Sequence, residues 1–386
     1  MKYYIIAGEA SGDLHGSNLM RGLYAQDPDA DIRFWGGGMM DAVYRAHQQG
    51  SGLVTDYREG AVMGFWEVFL KAGSLLRQVR FCKQDILAWK PDVVILIDYP
   101  GFNFKMAEFA HKAGYKVFYY IAPKVWASRE GRIRKLKAYV DKLFIIFPFE
   151  KTYFQEKGVS YVYAGNPLVD AVDGSPAMQE SREGFLARTG LPDAPWIALL
   201  AGSRNQEIKR MMPRLMKFAD AWHARHPEYR FVVAAAPSRT LQDYSPWLGN
   251  RDYVQVVSGE TYGVLRHARA AIINSGTASL EAALIGTPQV VAYRMSRISF
   301  VIGWMIIKVK FISLANLILN RKAFTELIQF QFTVDALLKE MESLTADESR
   351  RARMLAEYAQ VRELLGGSGA SEAVAKAMTE SLSHPV

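Results

Sequence analysis

Continuous apolar runs of four to six residues recur along this chain, and each is followed by a stretch with helical periodicity. In the first half the runs lie at residues 3–7, 32–35, 93–98, 116–121 and 142–147. In the second half they lie at residues 196–201, 230–235, 270–274 and 289–293. Such uninterrupted runs are typical of parallel strands buried on both faces. The sequence therefore predicts an α/β protein with doubly wound, Rossmann-like sheets.

Glycine and proline concentrate between residues 165 and 195, where the alternation is interrupted. The 386 residues are enough for two domains of ordinary size. We therefore predict an N-terminal domain over residues 1–172 and a C-terminal domain over 173–344, facing each other across a cleft. The helical tail from about residue 345 to 386 either packs back on the first domain or exchanges with a second copy in a homodimer.

The net charge of +8 predicts an anionic partner. Nucleic acid is not expected, because the basic residues do not alternate with base-stacking aromatics in any recognisable module. A single cysteine, Cys82, excludes an internal disulfide and fits a reducing cytoplasm. The first residues predict a strand and not a secretory signal, so we expect the protein to stay in the cytoplasm.

Two groups of basic residues stand out. The first comprises Arg129, Arg132, Arg134, Lys135 and Lys137. The second brackets the apolar run 298–307 and comprises Arg294, Arg297, Lys308, Lys310, Arg321 and Lys322. That run has about half of the ~20 residues needed to cross a bilayer. It fits a segment lying in an anionic membrane surface or, equally, a buried helix with solvated flanks.

In the second half, two turns follow predicted strands and open helices. The first is Gly202 to Arg204, and the second is Ser275 to Ala278, with Glu281 one helical turn further on. Backbone N–H groups at such turns bind anions, and an arginine adds a planar charge. We interpret the pair as a diphosphate site, where Glu281 could bind ribose hydroxyls. Ordinary helix capping by Ser275 and Thr277 is the alternative.

In the first half, the strand at 93–97 leads to Asp98, and Pro100 cannot continue that strand. A carboxylate there could accept a proton from an incoming hydroxyl, although it could also cap the next helix. The turn Gly8 to Asp13 is expected at the same sheet edge, with Asp13 as the N-cap of its helix. Glu9, Asp13 and His15 are rival acid–base groups.

The first turn is not a dinucleotide fingerprint, because its glycines are spaced four residues apart at 8, 12 and 16. No metal site is expected. Asp29-Ala-Asp31 spells an acid-x-acid motif, but it precedes a strand and is interpreted as a solvated turn.

Eight segments together resemble the lipid-A-disaccharide synthase family. They are Gly8 to Asp13, Asp98 to Asn103, Ile121 to Trp126, Phe147 to Glu150, Gly202 to Arg204, Ser275 to Glu281, Tyr293-Arg294 and Ser313 to Asn316. They occur in order over about residues 3–322, which is most of the chain. One departure is Ala201, where the family usually has proline before Gly-Ser-Arg.

The resemblance implies an inverting, metal-independent glycosyltransferase of the GT-B type that needs no cofactor. Its reaction would join UDP-2,3-diacylglucosamine to 2,3-diacylglucosamine 1-phosphate, forming the β-1′,6 disaccharide phosphate of lipid A biosynthesis at the cytoplasmic face of the inner membrane. Asp98 would be the general base, and Glu9, Ser11 and Asp13 would lie on the acceptor side. The residues implied to hold UDP are Arg204, Ser275, Gly276, Thr277, Ala278, Glu281 and Asn316. The apolar residues 61–70 and 298–307 would serve the acyl chains or the bilayer.

Three other functions compete with this one. A UDP-sugar transferase or UDP-GlcNAc epimerase with a soluble substrate would keep Arg204 and Glu281 but would not need the apolar, cation-flanked segments. A nicotinamide-dependent oxidoreductase would need the missing fingerprint. A lipid carrier at the membrane surface would not need Asp98.

Overall fold

The computed structural model describes residues 1–58, 67–237, 239–296, 300 and 309–383. The chain divides into two compact units. The first comprises Met1–Ala171 together with Leu365–Val386, and the second comprises Val172–Leu364.

The first unit is built on seven strands. They are β1 (Lys2–Ala7), β2 (Asp31–Gly36), β3 (Leu53–Asp56), β4 (Val93–Ile97), β5 (Lys116–Tyr120), β6 (Lys142–Ile145) and β7 (Val162–Tyr163). The helices in this part of the chain are α1 (Ala10–Gln26), α2 (Gly38–His47), α3 (Glu67–Trp89), α4 (Pro100–Lys112), α5 (Ile133–Tyr139), α6 (Pro148–Glu156) and α7 (Pro167–Asp173). A 3₁₀ turn, Glu130–Arg132, precedes α5.

All strands of this sheet are parallel, in the order β3-β2-β1-β4-β5-β6-β7. The central strands are apolar along their length because helices cover both faces, and every residue of β4 is buried. From β1 the strands that follow in sequence are added first on one side, as β2 and β3, and then on the other side, as β4 to β7. The switch point therefore lies between β1 and β4. Ligands of open α/β sheets bind outside the carboxyl ends of strands at such a switch point, which is where Asp98 and the turn after β1 lie.

The second unit repeats this plan. Its strands are β8 (Trp196–Leu200), β9 (Arg230–Ala235), β10 (Val254–Ser258), β11 (Ala270–Asn274), β12 (Gln289–Tyr293) and β13 (Glu326–Ile328). The helices described from here to the end of the chain are α8 (Arg182–Thr189), α9 (Asn205–His223), α10 (Leu241–Leu248), α11 (Thr261–Arg266), α12 (Thr277–Ile285), α13 (Leu314–Leu319), α14 (Val334–Ala346), α15 (Glu348–Leu365) and α16 (Ala370–Ser383). The parallel order is β10-β9-β8-β11-β12-β13, so the switch point lies between β8 and β11.

The predicted fold class is confirmed, and every strand expected from an aliphatic run is present. Four strands were missed, and all of them lie at sheet edges: β3, β7, β10 and β13. An edge strand is covered on fewer sides, so its residues are mostly half-buried and no continuous apolar run marks it.

The helical tail is shared between the units. Met354 and Tyr358 of α15 are buried, and the Tyr358 ring packs edge-on against Phe324, 6.0 Å between centroids. The chain rejoins the first unit at Leu365, later than the expected position near residue 345, because α15 packs in the second unit. Beyond the break at Gly366, α16 packs on α1. A Cβ on Gly22 of α1 would lie 2.8 Å from the Ala375 Cβ, so glycine permits this close approach.

Candidate active site

Asp98 follows β4 in an unusual backbone conformation. Asp98 and Tyr99 have φ of 42° and 47°, in the left-handed region that residues other than glycine rarely adopt. Pro100 then begins α4. Such strain persists only where surrounding contacts enforce it, and it is concentrated at functional sites.

Three hydrogen bonds hold this turn. The buried Asn103 Nδ2 donates to the Asp98 carbonyl oxygen at 2.8 Å, and the Tyr119 hydroxyl donates to the same oxygen at 2.7 Å. The Asp98 N–H donates to the Tyr120 carbonyl at 3.1 Å. All three bonds use the Asp98 backbone, so none of them occupies the carboxylate. Sequence reasoning did not assign roles to Asn103 and Tyr119, although Asn103 closes the motif that begins at Asp98.

The electrostatic environment of the Asp98 carboxylate favours a proton acceptor. Burial raises its pKa above the ordinary value, and the nearby Glu9 raises it further. Lys124 and the Tyr99 backbone N–H oppose this increase. A carboxylate with a raised pKa is a stronger base, provided that it is ionised at the working pH.

The turn after β1 lies against the Asp98 turn. A Cβ on Gly8 would lie 2.3 Å from the Tyr99 ring, so only glycine fits there. Helix α1 begins at Ala10, with Glu9 in the N-cap position. Glu9 and Ser11 are both exposed at this edge, and their acceptor-side roles stay predictions.

Asp13 is not the N-cap of α1, so this prediction was wrong. The residue lies within the helix, because the chain becomes helical directly after Gly8 and Glu9. Its buried carboxylate accepts hydrogen bonds from the N–H groups of Gly37, Met39 and Met40 at 2.9, 3.1 and 3.0 Å. Asp13 therefore holds the start of α2, and this accounts for the residue without a ligand.

His15 is also buried within α1. Burial lowers its pKa to about 4, with a nearby charge on Asp170 opposing the shift. The ring is 5% exposed and neutral at physiological pH. Asp13 and His15 are therefore buried within α1, whereas Asp98 and the exposed Glu9 lie at the sheet edge.

In the second unit, the two predicted turns lie next to each other at the switch point. Gly202 has φ of 105°, and a Cβ on it would lie 2.5 Å from both Asn274 Nδ2 and Glu207 Oε2. Asn274 ends β11, so the ends of β8 and β11 pack closely at this glycine. The departure at Ala201 leaves the turn intact, with Ala201 fully buried.

The two turns differ in how their N–H groups are used. Glu207 Oε2 accepts from the N–H groups of Ser203 and Arg204 at 3.0 and 3.2 Å, so α9 carries its own cap. At α12 no side chain caps the helix start, where Gly276 is the N-cap residue. The first N–H groups of a helix have no partner within it, and they favour an anion. The turn from Ser275 to Ala278 is therefore the better anion site of the two.

Arg204 and Glu281 flank this region. The Arg204 side chain is 68% exposed and lies 3.7 Å from Glu207 Oε1. Glu281 Oε1 accepts a hydrogen bond from the Tyr262 hydroxyl at 2.9 Å, and burial raises the Glu281 pKa. The sequence did not predict this contact, because Tyr262 lies on α11, 19 residues before Glu281.

Asn316 is placed differently from the sequence expectation. Its Nδ2 donates to the Phe324 carbonyl and to Glu326 Oε1 at 3.1 and 2.9 Å, and its Oδ1 accepts from the N–H groups of Ala323 and Phe324. These four bonds fill the capacity of the amide. Glu326 also accepts from the Ile312 and Ser313 N–H groups, both at 3.0 Å.

The consequence is an indirect link from Asn316 to the anion site. The Ser275 hydroxyl donates to the Ile312 carbonyl at 3.2 Å, in the loop that Glu326 and Asn316 hold. In this structure Asn316 therefore positions the loop beside Ser275. Glu326 is a further residue of this network that the sequence did not reveal.

Parts of the predicted site lie outside the described residues. These are most of the apolar segments 61–70 and 298–307, including Trp304, Met305 and Ile306. Within the described ranges, no group of three or more His, Cys, Asp or Glu side chains could hold a metal ion. Asp29 is exposed in the turn before β2.

Comparison with solved structures shows the same fold in other proteins. A UDP-GlcNAc 2-epimerase from Neisseria meningitidis bound to UDP-GlcNAc aligns with a TM-score of 0.69, covering 98% of this chain and 100% of that one at 13% identity. An S. aureus MnaA–UDP co-structure aligns with a TM-score of 0.69, covering 99% and 97% at 14% identity. At these identities the similarity establishes the two-domain fold alone.

Sequence comparison is more specific. Lipid-A-disaccharide synthase of Geobacter metallireducens is 38% identical over 380 residues, covering 98% of this chain and 96% of the relative. The enzyme of Myxococcus xanthus is 37% identical, covering 98% and 97%. The sequence model of the lipid-A-disaccharide synthetase family matches residues 3–380. This chain therefore belongs to the lipid-A-disaccharide synthase family.

Proposed function

We propose that Asp98 is the general base of a single-step glycosyl transfer and that the carboxyl edge of the second sheet binds UDP. The chain is a glycosyltransferase of lipid A biosynthesis. It joins UDP-2,3-diacylglucosamine to 2,3-diacylglucosamine 1-phosphate and releases UDP. The single observation that carries the assignment of the base is the half-buried Asp98 carboxylate, on a strained turn that is held by hydrogen bonds to the Asp98 backbone.

The proposed step moves one proton and exchanges one bond. Asp98 accepts the proton of the acceptor 6-hydroxyl while that oxygen attacks the anomeric carbon of the donor sugar. The bond from this carbon to the UDP oxygen breaks, and its electron pair leaves with the β-phosphate. Attack from the side opposite the leaving group inverts the anomeric configuration and gives the β linkage.

The donor residues would act on the charge that develops on UDP. The uncapped start of α12 offers N–H groups from Gly276 to Ala278, and Arg204 adds a guanidinium. Groups already oriented toward a developing charge stabilise the transition state, because they need little reorganisation. Glu281, oriented by Tyr262, would accept hydrogen bonds from the ribose hydroxyls.

The main alternative is an epimerase or transferase with a soluble substrate, since the solved neighbours include epimerases. Family membership favours the lipid substrate over this alternative. The test is mass spectrometry of the products formed from UDP-2,3-diacylglucosamine and 2,3-diacylglucosamine 1-phosphate. We expect a disaccharide monophosphate with one UDP released per linkage. Epimerised UDP-sugar, or UDP release without a disaccharide, would contradict the assignment.

We also propose that helix α3 contacts an anionic membrane surface, where acylated substrates reside. Leu76, Phe81 and Leu87 are 62%, 49% and 48% exposed on this helix, and Arg77 and Arg80 are exposed beside them. Exposed apolar residues interspersed with cations suit an interfacial helix. None of the described helices is long and apolar enough to span a membrane.

The charge pattern of α3 supports a lipid partner. Among its described side chains, residues 75–89, the single carboxylate is Asp85, which faces the sheet. Asp85 pairs with Arg33 at 2.6 Å and accepts from the Tyr4 hydroxyl at 2.7 Å. The outward side of this stretch therefore carries positive charge without a negative one, which matches anionic lipid.

Replacing Leu76, Phe81 and Leu87 together by Gln should reduce sedimentation with anionic phosphatidylglycerol vesicles at least several-fold, because less apolar area enters the interface. A matched control is Leu355→Gln with Leu364→Gln, which alters exposed leucines on α15. Equal sedimentation of the α3 variant and the control would reject this surface. Replacing Trp304, Met305 and Ile306 by Ser should also reduce liposome sedimentation, as the sequence pattern of the run 298–307 predicts.

A further inference from the structure

We propose that Arg129 and Arg132 form a phosphate-binding site that recognises the 1-phosphate of the acceptor sugar. This inference rests on the proposed function and adds a residue-level basis for acceptor choice. Both residues belong to the basic group that the charge pattern singled out, and neither has a part in the transfer step described above.

The local backbone brings the two arginines together. Arg129 has φ of 59° and starts the 3₁₀ turn, and the Arg132 N–H donates to the Arg129 carbonyl at 3.0 Å. This hydrogen bond closes one tight turn, which keeps the two residues near each other in the chain. The closeness is also electrostatic: burial and the neighbouring Arg129 both lower the pKa of Arg132. The charge of Arg129 thus acts on the Arg132 guanidinium across this turn.

The nearby acids do not neutralise this pair. Glu130, between the two arginines, forms an ion pair with Lys157 at 2.5 Å, and Glu108 pairs with Lys112 and Lys135 at 2.9 and 3.7 Å. Among the described residues, no carboxylate lies within ion-pair distance of Arg129 or Arg132. The Arg132 guanidinium instead lies 5.5 Å from the centre of the buried Phe104 ring. Two guanidinium groups on one turn attract a dianion more strongly than either does alone.

The pair lies close to the Asp98 turn. Strand β5 is the neighbour of β4, with Ile97 opposite Tyr120, so the loop after β5 begins beside Asp98. The Tyr119 hydroxyl contacts the Asp98 carbonyl, and the charge of Arg132 acts on that same tyrosine. Lys124, in the loop between, is near enough to act on the Asp98 carboxylate.

A bracing contact fixes the same loop. Trp126 Nε1 donates to Glu150 Oε1 at 3.0 Å, and the buried Glu150 also accepts from the Ile146 and Phe147 N–H groups. The arginines therefore follow an anchored segment.

The chemistry fits a phosphate monoester. Guanidinium groups bind phosphate oxygens through paired, charge-assisted hydrogen bonds, and two of them match a dianion. The acceptor carries its 6-hydroxyl and its 1-phosphate on one sugar ring. A phosphate held by the segment after β5 would place the acceptor at the sheet edge where the base follows β4, since β4 and β5 are neighbouring strands.

The experiment compares two acceptors in neutral detergent micelles: 2,3-diacylglucosamine 1-phosphate and the same sugar without the phosphate. We expect the wild-type chain to prefer the phosphorylated acceptor. In the double variant Arg129→Ala with Arg132→Ala, the KM for the phosphorylated acceptor should rise at least 10-fold. Its kcat and its KM for the donor should be nearly unchanged. The kcat/KM for the acceptor lacking phosphate should stay as in the wild type.

Arg134→Ala, which removes an exposed arginine of the same basic group, is the matched control and should keep the wild-type preference. Thermal unfolding and UDP affinity verify that each variant is folded. An equal loss on both acceptors would overturn the phosphate site. So would unchanged preference combined with weaker sedimentation on anionic vesicles, which would assign the pair to lipid headgroups. If the wild-type chain makes no disaccharide from either acceptor, the proposed function itself fails, and this outcome differs from the others.

Discussion

Replacing Asp98 by Asn should lower kcat by about 10²-fold or more, which corresponds to about 2.7 kcal/mol of transition-state free energy. The amide has nearly the same shape but cannot accept the proton of the acceptor hydroxyl. The turn should persist in the variant, because Asn103 and Tyr119 bind the backbone carbonyl at this position and not the carboxylate. Steady-state rates of UDP release, measured with saturating donor and acceptor, test this expectation.

The pH dependence gives the same prediction a second readout. Burial and Glu9 raise the Asp98 pKa, and a base is active only when it is deprotonated. The rate of the wild-type chain should therefore fall as the pH decreases through a value above the ordinary aspartate range. Glu9→Gln should move this acid limb to lower pH, because removing a nearby negative charge lowers the Asp98 pKa.

The informative comparison is among the acid–base groups that lie near this sheet edge. Near-normal turnover in Asp98→Asn would transfer the role to Glu9, Asp13 or His15. Asp13 and His15 are both buried within α1. The Asp13 carboxylate accepts hydrogen bonds from the start of α2, and burial lowers the pKa of His15. Loss of UDP affinity in parallel with turnover would instead indicate a misfolded variant.

Replacing Arg204 by Ala should weaken UDP binding by about 10- to 100-fold, the range for losing one charge-assisted contact. The side chain is mostly exposed at the start of α9, so its removal should leave the fold unchanged. The adjacent cap survives as well, since Glu207 accepts from backbone N–H groups that alanine retains. Titration calorimetry with UDP measures the effect.

Lys209→Ala is a suitable control for Arg204, because it removes an exposed positive charge from the same helix. A general electrostatic attraction of UDP would weaken binding in both variants to a similar extent. A specific contact predicts a large effect for Arg204 and a small one for Lys209. Unchanged affinity in Arg204→Ala would mean that the turn from Ser275 to Ala278 holds the diphosphate without this guanidinium.

Much of the fold follows from local pattern. Central strands such as β1, β4, β8 and β11 are marked by aliphatic runs because they are covered on both faces. Edge strands carry no such mark. Gly366 and Gly367 interrupt the helical periodicity of the tail, and the structure has its break before α16 there. The separation of α14 from α15 at Asp347 was not foreseen, since neither glycine nor proline marks it.

The candidate site was predictable to a similar degree. The sequence by itself determined the strand–turn–helix units that place Asp98 and the turn from Ser275 to Ala278 at sheet edges, because glycine, proline and apolar runs act over a few residues. Only the tertiary structure decided which partners the polar groups have. Asp13 accepts hydrogen bonds from the start of α2, and the Asn316 amide forms its four hydrogen bonds with residues 323–326. Some of those partners are distant in sequence, and several donors or acceptors are available to each side chain. The geometry of the folded chain therefore determines which hydrogen bonds form.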